Sequence, residues 1–194
     1  VDFMIQRVPK GTVLLLDEAY GEFAPSDVLP AIDTSDSRVL RFRTFSKAYG
    51  LAGIRIGYVM GERGLIGEFN KVRNHFGVGR IAQAAALAAL SDTAYLQQVI
   101  TQVAGARNRI AGIASDHGLA PLASAANFVT IDCGQDGTYA TAVLNDLVRQ
   151  GVFVRMPGVA PLNRCIRVTV GLDHQLEAFA KALPQALAAA KCAS

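Results

Sequence analysis

The stretch RTFSKAYGLAGIRIGY, residues 43 to 58, carries the strongest fold signal in the chain. It begins inside an alternating segment, Val39 to Phe45, which predicts a β-strand that ends just before Lys47. The segment GIRIGYVMG, residues 53 to 61, predicts a further short strand in which Arg55 lies between two isoleucines that point to the opposite face. Two cations are therefore expected beside strand ends.

An earlier stretch, TVLLLDEAY, predicts a neighbouring strand. The apolar run from Val13 to Leu16 is typical of a parallel strand that is buried on both faces, and Asp17 follows it directly. Ligands of open α/β sheets bind outside the carboxyl ends of the strands. We therefore expect Asp17 and Lys47 at one functional edge of a sheet.

The rest of the chain divides into a helical part and a mixed part. Helical spacing runs from Glu62 to His117, and Gly118 is a typical helix stop. The strands NFVTIDC, VFVRM and CIRVTVG then alternate with the helix TYATAVLNDLVRQG and a final helix from Asp173. The expected fold class is α/β: residues 1–118 form part of a large domain with a mainly parallel sheet, and residues 119–194 form a small α+β domain.

Composition narrows the function classes. The chain is 51% hydrophobic and 18% charged, and its formal net charge of +3 comes without a Lys/Arg cluster, so a nucleic-acid partner is not expected. Its apolar runs are shorter than the roughly 20 residues of a membrane helix. The three cysteines have no metal-ligand spacing and lie far apart in sequence, which predicts no metal site and a cytoplasmic location.

The candidate chemical groups share one ligand chemistry. The amine of Lys47, the carboxylate of Asp17, the phenol of Tyr20 and the guanidinium groups of Arg55 and Arg167 all follow or interrupt predicted strands. Pyridoxal 5'-phosphate has an aldehyde for a lysine, a ring nitrogen for a carboxylate, a phenolic oxygen for a tyrosine and a phosphate for an arginine. A second arginine would remain for a substrate carboxylate.

These residues also carry a family resemblance. The segments DEAY, TFSKAYGLAGIRIGY and RVTVG resemble the class I and II aminotransferases of fold type I, and most of all the histidinol-phosphate aminotransferase branch. The resemblance extends from about Val13 to the C-terminus. It implies a pyridoxal-phosphate-dependent enzyme that transfers an amino group between an amino acid or amino-alcohol phosphate and a 2-oxo acid, with a role in histidine biosynthesis.

The resemblance implies a role for each matching residue. Lys47 binds the cofactor covalently and moves a proton, Asp17 pairs with the ring nitrogen, and Tyr20 donates to the phenolic oxygen. The residues expected to hold the phosphate are Thr44, Ser46 and Arg55. The residues expected to contact substrate are Arg167, which binds the α-carboxylate, together with Arg155 and Asn127.

Several family features are not found upstream of VLLLDEAY: a Gly-rich phosphate loop, an aromatic ring that stacks on the cofactor, and an asparagine near its phenolic oxygen. We therefore expect the chain to be a C-terminal fragment of a longer, homodimeric enzyme. Two alternatives stay open, a pyridoxal-phosphate-dependent decarboxylase on the same scaffold and an aminotransferase-like sensor domain of a transcription regulator.

Overall fold

The computed structural model describes residues 1–193, which fall into two compact units. The first unit spans Val1–Ile100, and the second begins at Thr101. The boundary lies within one long helix, whereas the sequence places a domain boundary at residue 118. The sequence-based boundary stays a prediction, and each unit is described by itself.

The first unit contains a three-stranded mixed sheet. Its strands are β1 (Leu14–Asp17), β2 (Val39–Thr44) and β3 (Gly57–Met60), in that spatial order. β1 and β2 pair in parallel, whereas β2 and β3 pair antiparallel. The expectation of a mainly parallel sheet is therefore wrong for the part of the chain that the structure describes.

β1 is buried on one face only. Leu16 is buried, whereas the side chain of Leu15 is 63% exposed and Val13 lies before the strand. The prediction of a strand buried on both faces is wrong for this chain, because nothing in residues 1–193 covers the side that carries Leu15. That open side also carries Asp17, since alternate residues of a strand share a face.

Helices make up the rest of the first unit and continue past its end. They are α1 (Asp2–Gln6), α2 (Arg63–Glu68), α3 (Arg80–Ser91) and α4 (Thr93–Asp116), with short 3-10 turns at Gly21–Phe23, Ala52–Ile54 and Phe69–Lys71. Glu62 caps α2 by accepting the N–H groups of Gly64 and Leu65. The helical character predicted from Glu62 onward is confirmed except at residues 72–79, which form turns and irregular structure. Gly118 adopts the left-handed backbone of a helix stop, with φ of 73°.

The second unit packs helices on a small antiparallel sheet. Its further elements are β4 (Ala120–Pro121), β5 (Phe128–Asp132), α5 (Gly137–Arg149), β6 (Cys165–Thr169) and α6 (Asp173–Ala193). The inward residues of β5 and β6 are Val129, Ile131, Ile166 and Val168, and they join the apolar faces of α5 and α6 in one core. The predicted strand VFVRM is wrong: only Arg155 pairs there, through an isolated bridge to Arg167.

No helix among the described residues is long and apolar enough to cross a membrane.

Candidate active site

A pocket of about 670 Å³ opens at the strand ends of the first unit. It brings together five of the residues predicted from the sequence, Asp17, Thr44, Ser46, Lys47 and Arg55. The wall is completed by Leu15, Ala19, Phe42, Arg43 and Ala52. A carboxylate, an amine, two hydroxyls and a guanidinium therefore face one cavity.

Asp17 is the last residue of β1 and lies beside Phe42 in the parallel register. Its Oδ1 accepts the backbone N–H of Ala19 at 3.0 Å, which fixes one oxygen at the strand end. The side chain is otherwise exposed toward the open side of the sheet. The carboxylate thus has a defined position and free hydrogen-bonding capacity, which a protonated ring nitrogen requires.

Lys47 follows β2 in a tight turn between two anchored residues. Phe45 and Ala48 are 2% and 1% exposed, so their side chains fix the backbone on both sides of the half-buried lysine. The N–H of Gly50 donates to the carbonyl oxygen of Lys47 at 3.0 Å and closes the turn. Lys47 Nζ lies 5.2 Å from the centre of the Tyr20 ring, so the predicted lysine and tyrosine are neighbours.

The hydroxyl of Thr44 orders the loop at the strand end. Its Oγ1 accepts the backbone N–H of Ser46 at 3.1 Å. The side chains of Thr44 and Ser46 are half-buried and line the pocket. Their hydroxyls can donate to an anion there, as a phosphate-binding role requires.

Arg55 differs from its prediction. It is not a strand residue: it caps the 3-10 turn Ala52–Ile54 and has φ of 58° and ψ of 51°, the left-handed region. The period-2 pattern around it misled the prediction, because alternating isoleucines also occur where a turn enters a strand. Its Nη1 donates to the carbonyl oxygen of Ala52 at 2.7 Å, and the exposed side chain lines the pocket.

The predicted substrate residues lie in the second unit. Arg167 on β6 and Arg155 exchange two backbone hydrogen bonds, of 3.1 and 2.6 Å, so their side chains leave the same face of the sheet. The guanidinium carbon of Arg167 lies 4.7 Å from the centre of the Phe128 ring. Neither arginine forms an ion pair within residues 1–193. Asn127 precedes β5 and is half-buried, and its backbone carbonyl oxygen accepts the N–H of Val170 at 2.9 Å.

Arg164 and two buried cysteines of the second unit are also candidate ligand-binding groups, but their surroundings argue against that role. Arg164 Nε donates to Asp132 Oδ1 at 2.8 Å, so this arginine already has an anionic partner. Cys133 and Cys165 are buried free thiols, and burial raises the pKa of Cys133 to about 11. A thiol with so high a pKa is a poor nucleophile and metal ligand, in agreement with a core role.

Sequence reasoning missed two groups next to the pocket, Glu18 and Arg43. Glu18 is buried immediately after Asp17, and Arg43 lies on the pocket wall immediately before Thr44. Arg43 Nε donates to Glu18 Oε2 at 3.0 Å. The detectable signal was an acid at a position that strand geometry directs into the interior, which requires a buried cation nearby.

Comparison with known proteins identifies the class. The family model for aminotransferases of class I and II matches residues 3–183. The chain therefore belongs to the class I and II aminotransferase family.

Individual relatives point to one branch. The chain is 40% identical over 195 residues to histidinol-phosphate aminotransferase 1 of Cupriavidus pinatubonensis, covering 96% of this chain and 50% of that protein. It is 38% identical to histidinol-phosphate aminotransferase 2 of Ralstonia nicotianae, covering 98% and 52%. The crystal structure of histidinol-phosphate aminotransferase from Sinorhizobium meliloti, in complex with pyridoxal-5'-phosphate, superimposes with a TM-score of 0.91 at 52% identity, covering 96% and 52%. The chain spans about half the length of these relatives.

Proposed function

We propose that this chain supplies the lysine-bearing half of the active site of a pyridoxal-phosphate-dependent aminotransferase that acts on histidinol phosphate or a similar anionic amino compound, with a 2-oxo acid as amino acceptor. The observation that carries the proposal is the pocket of the first unit, which collects Lys47, Asp17 and Arg55 with two hydroxyls. The similarity to histidinol-phosphate aminotransferases supports the choice of substrate class.

The residues present fit pyridoxal phosphate. When bound, the cofactor supplies an aldehyde for attachment and an electron-withdrawing ring that stabilises negative charge on the substrate α carbon. Lys47 is the half-buried amine on the pocket wall and would hold the aldehyde carbon. Arg55, Ser46 and Thr44 offer a guanidinium and two hydroxyls for the phosphate.

Asp17 and Tyr20 would set the charge on the ring. The Asp17 carboxylate accepts from Ala19 through one oxygen, so the other can accept from a protonated ring nitrogen. Tyr20 would donate its phenolic proton to the ring oxygen. Lys47, 5.2 Å from the Tyr20 ring, would move the proton between the substrate α carbon and the cofactor, because its amine is the basic group of the pocket.

Arg167 and Arg155 support an anionic substrate. Like charges directly opposite each other on one sheet face repel, and an anion between them removes that repulsion. Arg167 would bind the α-carboxylate or phosphate, and Arg155 a second anionic group. Asn127 would contact the substrate beside them.

Covalent trapping tests the cofactor assignment. Borohydride reduction of the complete protein with pyridoxal phosphate is expected to leave the pyridoxyl group on Lys47 alone, because only the attached amine is fixed in this way. Lys47→Ala should abolish both labelling and amino transfer, while Lys71→Ala, an exposed lysine paired with Glu68, serves as the matched control. A label mapped to another lysine would refute the assignment.

A substrate panel tests the substrate class. Wild type and Arg155→Ala are compared on histidinol phosphate, on a dicarboxylic amino acid and on an aromatic amino acid. Selective loss of kcat/KM for the anionic side chains supports the proposal, and uniform loss contradicts it. Detection of carbon dioxide in place of an oxo product would favour the decarboxylase, and DNA binding without turnover would favour the sensor domain.

Assembly and location complete the proposal. A homodimer is supported by exposed apolar side chains in the first unit, with Phe76, Ile81 and Leu87 at 94%, 81% and 67% exposure. A cytoplasmic location is supported by three free cysteines. Light scattering of the complete protein during gel filtration gives the mass that decides the first point.

A further inference from the structure

Glu18 lies between the two strand ends that form the pocket. It follows Asp17 directly, and its backbone N–H continues the parallel ladder by donating to the carbonyl oxygen of Phe42 at 2.8 Å. Consecutive residues of an extended chain point to opposite faces. The Asp17 side chain therefore faces the pocket side, whereas the Glu18 side chain is buried, with 4% of it exposed.

The Glu18 carboxylate joins two arginines of β2. Oε1 accepts from Nε of Arg41, and Oε2 accepts from Nε of Arg43 at 3.0 Å. Arg41 is as buried as Glu18, and its Nη1 also donates to the carbonyl oxygen of Pro30 at 2.7 Å. A buried carboxylate that accepts from two cations is held rigidly, because leaving any of the three charges unpaired carries a high desolvation cost.

This contact links the groups on the two sides of the pocket. β2 runs from Arg43 straight into Thr44 and then to Lys47, so a side chain that fixes Arg43 fixes the start of the lysine turn. On the other side, Glu18 is covalently adjacent to Asp17. The Glu18 carboxylate is therefore a cross-link between the backbone that carries Asp17 and the backbone that carries Lys47.

We propose that Glu18 is a positioning residue of the aminotransferase site, which sets the separation between the Asp17 carboxylate and the Lys47 amine by binding Arg41 and Arg43 behind the pocket. The inference rests on the proposed function. In this role Glu18 contacts neither cofactor nor substrate and acts through the two arginines.

The groups that face Glu18 determine the direction of its electrostatic effect. They are Arg41 and Arg43 on β2 and Glu22 on the following 3-10 turn, while Tyr58 on β3 lies opposite Arg43 in register. Removal of the Glu18 charge leaves the positive charges of Arg41 and Arg43 with less negative charge nearby. The potential around the pocket then becomes more positive, which disfavours protonation of the lysine-linked cofactor.

The test uses Glu18→Gln in the complete protein, with Glu22→Gln as the matched control. Glu22 belongs to the same cluster and has a side chain that is only 5% exposed. Its Oε1 lies 3.8 Å from Nη1 of Arg43, but neither carboxylate oxygen accepts a hydrogen bond within residues 1–193. Glu18→Gln is expected to raise the Kd for pyridoxal phosphate by about tenfold or more. It should also lower the pH midpoint of the bound cofactor's visible absorbance by about half a unit or more. Glu22→Gln should leave the cofactor Kd near wild type, because Glu22 accepts no hydrogen bond that positions Arg43.

Each outcome has one meaning. A Glu18→Gln protein that unfolds more easily but keeps the wild-type cofactor Kd and pH midpoint shows a purely structural role and overturns the inference. A wild-type protein that binds no pyridoxal phosphate overturns the proposed function and the inference together. If Glu18→Gln does not fold, Arg41→Lys replaces it, because lysine keeps the cation but lacks the Nε donor and Arg41 is not among the residues that line the pocket. An unchanged cofactor Kd in that variant would also overturn the inference.

Discussion

Two replacements of Arg55 distinguish the conformational strain of its backbone from the contact of its side chain with the cofactor. Arg55 holds φ of 58° and ψ of 51°, a left-handed conformation that costs a residue with a Cβ atom roughly 1–2 kcal/mol. Glycine adopts this conformation at little cost. We expect Arg55→Gly and Arg55→Ala to lose the same guanidinium but to differ in backbone strain.

The expected difference in stability is small and measurable. Both variants lose the exposed hydrogen bond from Nη1 to Ala52, so that contribution cancels in their comparison. Glycine removes about 1–2 kcal/mol of backbone strain. Its greater conformational entropy in the unfolded chain destabilises the folded protein by about 0.5–1 kcal/mol relative to alanine. The glycine variant should therefore be more stable than the alanine variant by up to about 1.5 kcal/mol.

The expected loss of cofactor affinity is the same in both variants. A hydrogen bond to a charged group contributes about 1.5–3 kcal/mol. Because the Arg55 side chain is exposed, the low end applies, which corresponds to a Kd for pyridoxal phosphate raised by roughly tenfold. Arg63→Ala is the matched control, since Arg63 lies on α2 and is not among the residues that line the pocket.

The assay combines urea unfolding of the complete apoprotein with cofactor titration followed by absorbance. An alanine variant that is more stable than the glycine variant by about 0.5–1 kcal/mol would show that the left-handed backbone carries no strain. Unchanged cofactor Kd in both variants would refute the phosphate-binding role of Arg55. A cofactor Kd that differs between the two variants would show that the turn geometry, rather than the guanidinium, controls binding.

Three further predictions concern the same unit. Burial raises the pKa of Glu22 above the ordinary value of about 4.3, so the wild-type protein loses stability as pH rises from that value through the folded-state pKa. Glu22→Gln should remove this pH-dependent loss and should leave the stability below about pH 4 unchanged. Urea unfolding at a series of pH values checks both expectations. Gly57→Ala should destabilise the protein by about 1–3 kcal/mol, because the new Cβ atom would lie 2.7 Å from the carbonyl oxygen of Arg43. Thermal melts check this against Gly53→Ala, whose Cβ atom would have no neighbour within 4 Å. The 194-residue chain alone should retain no stoichiometric pyridoxal phosphate after gel filtration and show no turnover, because its pocket is open; a yellow, active chain would contradict this.

The strand ends could be predicted from sequence because their signals are local. An apolar run followed by an acid fixed Asp17 at the end of β1, and alternation through Thr44 fixed Lys47 just after β2. Whether β2 and β3 pair in parallel or antiparallel could not be predicted from the sequence. The connection between β2 and β3 is about a dozen residues long, a length that permits either a parallel crossover or an antiparallel return.

Burial depends on partners that a local pattern does not contain. The apolar run of β1 predicts two covered faces, yet Leu15 is exposed because covering it requires residues distant in sequence. The same limit applies to Glu18, whose neighbours Arg41 and Arg43 lie more than twenty residues away along the chain. An acid directed inward was visible in the sequence, but its two partners were not.

The departures from sequence expectation cluster around one pocket. Arg55 occupies a conformation that its residue type disfavours, and Glu18, Arg41 and Glu22 carry charged groups into an interior that disfavours charge. Natural sequences break such rules where binding or catalysis needs the geometry, since elsewhere the cost brings no return. Arg55 lies on the pocket wall, and Glu18 adjoins Asp17 and binds Arg43 of that wall. The unfavourable terms at these two residues therefore support a functional site at this edge of the sheet independently of family resemblance.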